Sequence, residues 1–160
     1  MNWTPRLVAG AIVMLVCTAS THAADRTWDG NGGSPPSGSF HYTFNWNPNI
    51  VPGPLDRALF PDLGGTSYDV TFYADVTNDE MYVYGGVPTF LSNGAKRTYT
   101  LTDDVRIYGG STTFDGVNLD VGDRLRQSAG ALYFEAGAYG GSDVDCNLLE
   151  LRGGLMQLND

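Results

Sequence analysis

Acidic side chains are the first candidates for chemistry in this sequence, because they fall in pairs. Asp103 stands beside Asp104, Asp120 near Asp123, and Asp143 near Asp145. Paired carboxylates can hold calcium or act as the acid and base of glycoside hydrolysis. Calcium, however, takes at least about six oxygen ligands. The GGxGxD repeat that supplies them in calcium-binding solenoids is absent; GGSDVD from Gly140 and DGNGG from Asp29 only approach it. Aspartate also favours polar turns between strands, and that role is expected for all three pairs. Nucleophilic chemistry has less to draw on. After the first 23 residues the chain holds one histidine, His41, and one cysteine, Cys146. A Ser-His-Asp or Cys-His set has no spacing to recommend it. Cys146, near Val144, Leu148 and Leu149, is expected to be a small buried hydrophobe. No catalytic residue, cofactor or metal site is therefore expected. What remains is a recognition surface. Tyr82, Tyr84, Tyr108 and Tyr133 offer flat rings with a polar rim, and Arg106 and Arg126 alternate with some of them. Tyrosine also favours strands for packing reasons alone, and the packing role is the preferred one.

The amino terminus has the organisation of a secretion signal. Arg6 precedes an uncharged apolar run from Leu7 to Val16, and Thr21 and Ala23 place small residues where a signal peptidase reads. Residues 1–23 are expected to be removed, with Ala24 as an alternative cleavage point, and the protein to be secreted or held at the cell surface. The apolar run is too short to span a bilayer, and no second one exists. Removing Arg6 from 9 basic and 18 acidic residues leaves 8 and 18, a net charge of −10. Such a body repels phosphate backbones, so nucleic acid is not an expected partner. With a single cysteine left, no intrachain disulfide can form, and stability must come from packing.

The elements that would position these groups are legible from a repeat. VYGGVPTFL from Val83, IYGGSTTFD from Ile107, QSAGALYFE from Gln127 and LRGGLMQLN from Leu151 align without gaps. Each sets a small pair four residues before a large apolar residue: Phe90, Phe114, Phe134 or Leu158. The small pairs recur at intervals of 24, 20 and 24 residues, a period that marks stacked units. Alternate positions before each pair are Met81 and Val83, Val105 and Ile107, Leu125 and Gln127, Leu149 and Leu151. All but Gln127 are apolar, so this set should face inward. Tyr82, Tyr84, Arg106, Tyr108, Arg126, Ser128, Glu150 and Arg152 should face out. Return segments such as TYTLTDD and VNLDVGD supply a third strand per turn. The expected fold is all-β: a parallel β-solenoid of four to five coils, right-handed as parallel crossovers almost always are. Residues 24–65 lack the period and carry several prolines, so they are expected to cap the first edge, with residues 66–160 forming the coils. Phe90, Phe114, Phe134 and Leu158 should make one internal column. Outside, Tyr82, Arg106, Arg126 and Glu150 should make a ladder in which Arg126 and Glu150 pair.

Several segments resemble large bacterial secreted repeat proteins of the autotransporter-associated β-strand and PEP-CTERM type. They are TWDGNGG (Thr27 to Gly33), Asn45-Trp46, VPGPLDRALF (Val51 to Phe60), YDVTFYADVTNDEMYVYGG (Tyr68 to Gly86) and KRTYTLTDDV (Lys96 to Val105). The resemblance implies a secreted β-helix and transfers no catalytic residue. Such proteins usually run longer and finish with a sorting tag or a membrane barrel. This chain stops at Asn159-Asp160 with neither, which reads as a fragment or truncated product. Otherwise the last coil, around Leu155 to Leu158, leaves an edge that invites self-association.

The functional expectation is a non-enzymatic extracellular structural or adhesion module. The alternative is a carbohydrate-active or glycan-binding β-helix, acting on extracellular polysaccharide or cell-surface components through Tyr82, Tyr84, Arg106, Tyr108 and Arg126. Fold alone argues weakly for activity.

Overall fold

A computed structural model describes residues 24–33 and 36–159; the expected signal segment, 1–23, lies outside the described residues. Fifteen strands follow one another: β1 (Asp25–Trp28), β2 (Gly38–Ser39), β3 (Trp46–Asn47), β4 (Arg57–Phe60), β5 (Ser67–Phe72), β6 (Val76–Asn78), β7 (Glu80–Val83), β8 (Val87–Ser92), β9 (Arg97–Leu101), β10 (Val105–Ile107), β11 (Ser111–Asp115), β12 (Val117–Gln127), β13 (Ala131–Glu135), β14 (Val144–Leu151) and β15 (Leu155–Leu158). Every named strand pairing is parallel except that of β1 with β3.

The strands stack on three faces. One face runs β1-β4-β7-β10 and on to the second half of β12 and of β14. A second runs β2-β5-β8-β11-β13-β15. The third runs β6-β9 and on to the first half of β12 and of β14. β12 and β14 bend through two faces, and their pairing shifts register between Val121 and Arg124. The result is a β-solenoid of about four turns.

Side chains of period two divide as the repeat requires through most of the stack, but Leu149, Leu151 and Leu158 of the inward set are exposed on the last rung, and Tyr82 of the outward set is buried. On the second face Val70, Phe90, Phe114, Phe134 and Leu158 are register partners. Phe90 and Phe114 stack with centroids 4.9 Å apart, and Phe114 and Phe134 with centroids 5.3 Å apart, close to the spacing of neighbouring strands. All three rings are fully buried. The inward Gln127 is also fully buried. Its side-chain amide nitrogen, Nε2, donates to the carbonyls of Gly130 and Leu155, at 3.0 and 2.9 Å. It thus ties down the bend that follows its own strand.

The bends between the first two faces explain the small pairs. Gly110 and Gly130 have φ of 78° and 80°, a conformation that costs other residues strain. A Cβ on Gly110 would collide with the carbonyl oxygen of Gly86, and one on Gly130 with that of Gly110. Each glycine admits the coil before it.

Stacking begins inside the segment expected to be only a cap. β1 and β4 already continue the parallel first face, while β3 closes it by pairing antiparallel with β1. Trp28, Phe40, Trp46 and Phe60 fill this end and are essentially buried. Trp46 packs edge-on against Trp28, Phe40 and Phe60, and Phe60 reaches Phe90 at 4.9 Å. Both indoles are satisfied, Trp28 donating to the Pro36 carbonyl and Trp46 to that of Phe40. Phe44 and Leu55, of equal hydrophobic promise in the sequence, stay exposed.

Candidate functional site

The outer surface of the first face holds every residue of the expected recognition ladder. Leu59, Tyr82, Arg106, Arg126 and Glu150 are register partners there. Two residues earlier on the same side stand Arg57, Glu80, Asp104 and Arg124, and two residues later Tyr84, Tyr108, Ser128 and Arg152. Repeated backbone bonds hold that later column in line: the amides of Tyr84, Tyr108, Ser128 and Arg152 donate to the carbonyls of Phe60, Val83, Ile107 and Gln127.

Charges on this surface alternate along the stack. Arg57 contacts Asp25 at 2.8 Å and Glu80 at 3.3 Å, and Arg106 lies 4.0 Å from Glu80. Asp104 accepts from Arg106 at 2.9 Å and from Arg124 at 3.4 Å. Glu150 takes Arg126 at 2.8 Å and Arg152 at 2.6 Å, with Arg124 at 3.8 Å. The Arg126–Glu150 pair expected from sequence is present. Hydrogen bonds from Arg152 and Arg126 hold the Glu150 carboxyl below the ordinary range for glutamate. Asp104 was expected among turn acids. It instead packs into this face beside Glu80, with side chains only 4 % and 11 % exposed.

The tyrosines do not behave alike. Tyr82 is 7 % exposed rather than outward in solvent. The guanidinium of Arg57 lies 4.6 Å from its ring centroid and that of Arg106 lies 5.0 Å away. Its hydroxyl donates to Glu80 at 3.0 Å. Two cations over one ring are favourable contacts, and they exclude water from it. Tyr84 and Tyr108 remain 48 % and 40 % exposed. Their rings are parallel within 5°, with centroids 5.4 Å apart, and Tyr82 meets both edge-on. Tyr133 lies on β13, on the second face, and does not join them.

The acidic pairs are regrouped by the coil. Asp123 joins Asp103 and Asp104, not Asp120, with one carboxylate oxygen of each within 4.8 Å of the others. The reason is vertical: the Asp123 amide donates to the Asp103 carbonyl, and the Asp103 amide to that of Asp79. These are stacked turns. Burial and the charges of Asp104, Glu80, Asp79 and Asp123 push the Asp103 carboxyl upward. Asp104 gives one oxygen to two arginines, which compete with any cation there. Asp143 is paired with Lys96 at 2.9 Å.

The remaining candidates lie apart from this face. His41 is exposed, and its Nε2 accepts the Ala74 amide at 3.3 Å. It lines a recess of about 310 Å³ with Phe40, Val51, Pro52, Asp75 and Thr77 among others. That volume is near the lower limit of ligand sites, and no serine or cysteine lines it. Cys146 is half-buried beside the core. Burial and the adjacent Asp145 raise its thiol pKa, the opposite of what a nucleophile needs. No helix among the described residues is long and apolar enough to cross a membrane.

Sequence reasoning placed the ladder and its register but missed the burial of Tyr82. The cation that covers its first side, Arg57, lies in residues without periodicity. The signal was present in RALF (Arg57 to Phe60), whose alternation matches EMYV (Glu80 to Val83). Comparison with protein-family models, with curated proteins and with solved structures finds no match for this chain.

Proposed function

We propose that the protein is a non-enzymatic, extracellular structural or adhesion module, a rigid solenoid that displays its outer faces. The supporting observation is the ion-pair chain along the first face. Each of its arginines contacts at least one carboxylate of the same surface, an arrangement that stiffens a surface rather than leaving a group free to attack a bond. Secretion follows from residues 1–23 in this reading, and mass spectrometry of the exported chain should find Ala24 or Asp25 as its first residue. The family resemblance points the same way, toward secreted β-helix proteins of bacteria.

The enzymatic alternative has a direct test. Polysaccharides incubated with the protein should release neither new reducing ends nor unsaturated ends. Release that disappears in Arg126→Ala would overturn the non-enzymatic reading. The glycan-binding alternative draws on one specific observation, the half-exposed parallel pair of Tyr84 and Tyr108. Self-association is supported by the last coil, where Leu149, Leu151, Leu155 and Leu158 are 44–62 % exposed. Leu151→Lys should then lower the association seen in sedimentation velocity, and unchanged association would remove that coil as the contact.

A further inference from the structure

The tyrosine stack stops two rungs short of the top of its column. Tyr84 covers one side of the Tyr108 ring. On the next rung the column supplies only Ser128, and on the rung after that Arg152. Above the half-exposed Tyr108 ring, the next position of its column thus carries nothing larger than a hydroxymethyl group. Rungs lie about 4.8 Å apart, so the space matches the thickness of one ring stacked on Tyr108. Tyr82 beneath, clamped between Arg57 and Arg106, braces the platform. A pyranose presents the flat apolar face and polar rim that suit such a surface.

The charge around this space is the second observation. The sequence carries twice as many acids as bases, 18 against 9. Yet five of those nine bases, Arg57, Arg106, Arg124, Arg126 and Arg152, lie on this one face. On its last three rungs four guanidiniums, those of Arg106, Arg124, Arg126 and Arg152, meet two carboxylates, those of Asp104 and Glu150. Arg126 and Arg152 each reach Glu150 through Nε, and their terminal nitrogens make no other hydrogen bond among the described residues. Those nitrogens are the pair that grips a carboxylate side by side. The acidic turn of Asp103 and Asp123 lies at the other end of these strands, five residues or roughly 16 Å from the tyrosine column at about 3.3 Å per residue.

We propose that the open side of Tyr108, with Arg126 and Arg152, binds a uronate unit of an acidic polysaccharide. The sugar ring stacks on Tyr108 above Ser128, and its carboxylate takes the free nitrogens of the two arginines. The inference rests on reading the module as one that adheres rather than cuts. It adds a ligand class and a place, and it explains why a strongly acidic protein concentrates its arginines beside the Tyr84 and Tyr108 rings.

The test uses the whole secreted chain in affinity electrophoresis through polygalacturonate and through fully methyl-esterified polygalacturonate, its uncharged counterpart. Retention by the acid form should exceed that by the ester about tenfold. It should weaken as salt rises from about 0.1 M to about 1 M, where screening shortens from about 10 Å to about 3 Å. Tyr108→Ala and Arg152→Gln should each lower it about tenfold, the loss expected for one such contact. Ser128→Tyr should abolish it by filling the vacant rung while circular dichroism and thermal midpoint stay those of the parent. Arg97→Gln, away from the face, should match the parent. Equal retention by both polymers, or none by either, would overturn the uronate site and leave the structural reading standing. So would a folded Ser128→Tyr variant that still binds. Cleavage of the polymer during the run would instead overturn the non-enzymatic reading.

Discussion

Removing the ring of Phe114 should reveal how much of this fold rests on its inner column. Phe114 is fully buried and lies between Phe90 and Phe134, 4.9 and 5.3 Å away. Phe114→Ala deletes a buried ring from a site that cannot collapse, because β11 is paired on both sides, with β8 and β13. Lost transfer energy and the cavity together amount to roughly 3–5 kcal/mol. In a domain of this size that lowers the thermal midpoint by roughly 10–20 °C. Leu158 belongs to the same column in the same register but is 62 % exposed on the last rung. Leu158→Ala should cost less than about 1 kcal/mol, since little apolar surface leaves water there. Both variants should be followed by circular dichroism on heating and by urea titration. A change of midpoint for Phe114→Ala no larger than for Leu158→Ala would refute the reasoning, because position along the stack would then carry no energetic weight.

Two further outcomes follow from the bends and turns. Gly110→Ala should destabilise by at least about 1–3 kcal/mol through its positive φ alone, with the Gly86 carbonyl collision adding to that; Gly64→Ala, where a Cβ meets nothing within 4 Å, should show the strain without the collision. Asp103→Asn should stabilise the protein at neutral pH. The folded carboxyl titrates above its ordinary value of 3.8 because of burial and neighbouring carboxylates. The folded state therefore favours the protonated acid, and stability is lost as pH rises from that ordinary value through the folded one. The advantage of Asp103→Asn over the parent should be full at pH 7 and vanish in acid below the ordinary value. An advantage that persists unchanged into acid would contradict the carboxylate repulsion.

The coils were readable in advance because two periods coincide. Alternation within a strand and the recurrence of small pairs between strands together assigned Phe90, Phe114 and Phe134 to one column and Arg126 to Glu150 as a neighbour. Gln127, the one polar residue in the inward set, sits inward because its amide bonds the bend carbonyls. Residues 24–65 lack the recurrence of small pairs, and the alternation is confined there to short stretches such as RALF (Arg57 to Phe60). Composition could not say that Trp28, Phe40, Trp46 and Phe60 go inside while Phe44 and Leu55 stay out. That choice depends on rings meeting across β1, β3 and β4, which are far apart in sequence. The candidate site failed to be fully legible for the same reason. Tyr82 lost its exposure to Arg57, 25 positions earlier. Asp123 left Asp120 for Asp103 because a coil, not a turn, decides which acids are neighbours.

The account depends most on successive turns lying in register. Thr89 and Thr113 are partners on the outer side of the second face. With Cys17→Ser and Cys146→Ser to remove the native thiols, Thr89→Cys with Thr113→Cys should form an intrachain disulfide under mild oxidation, since neighbouring strands fall within the Cα separation a disulfide spans. Thr89→Cys with Ser111→Cys, two residues out of register, should not, because the diagonal of about 8 Å exceeds that span. Equal crosslinking of both pairs, or crosslinking of the second alone, would contradict the stack.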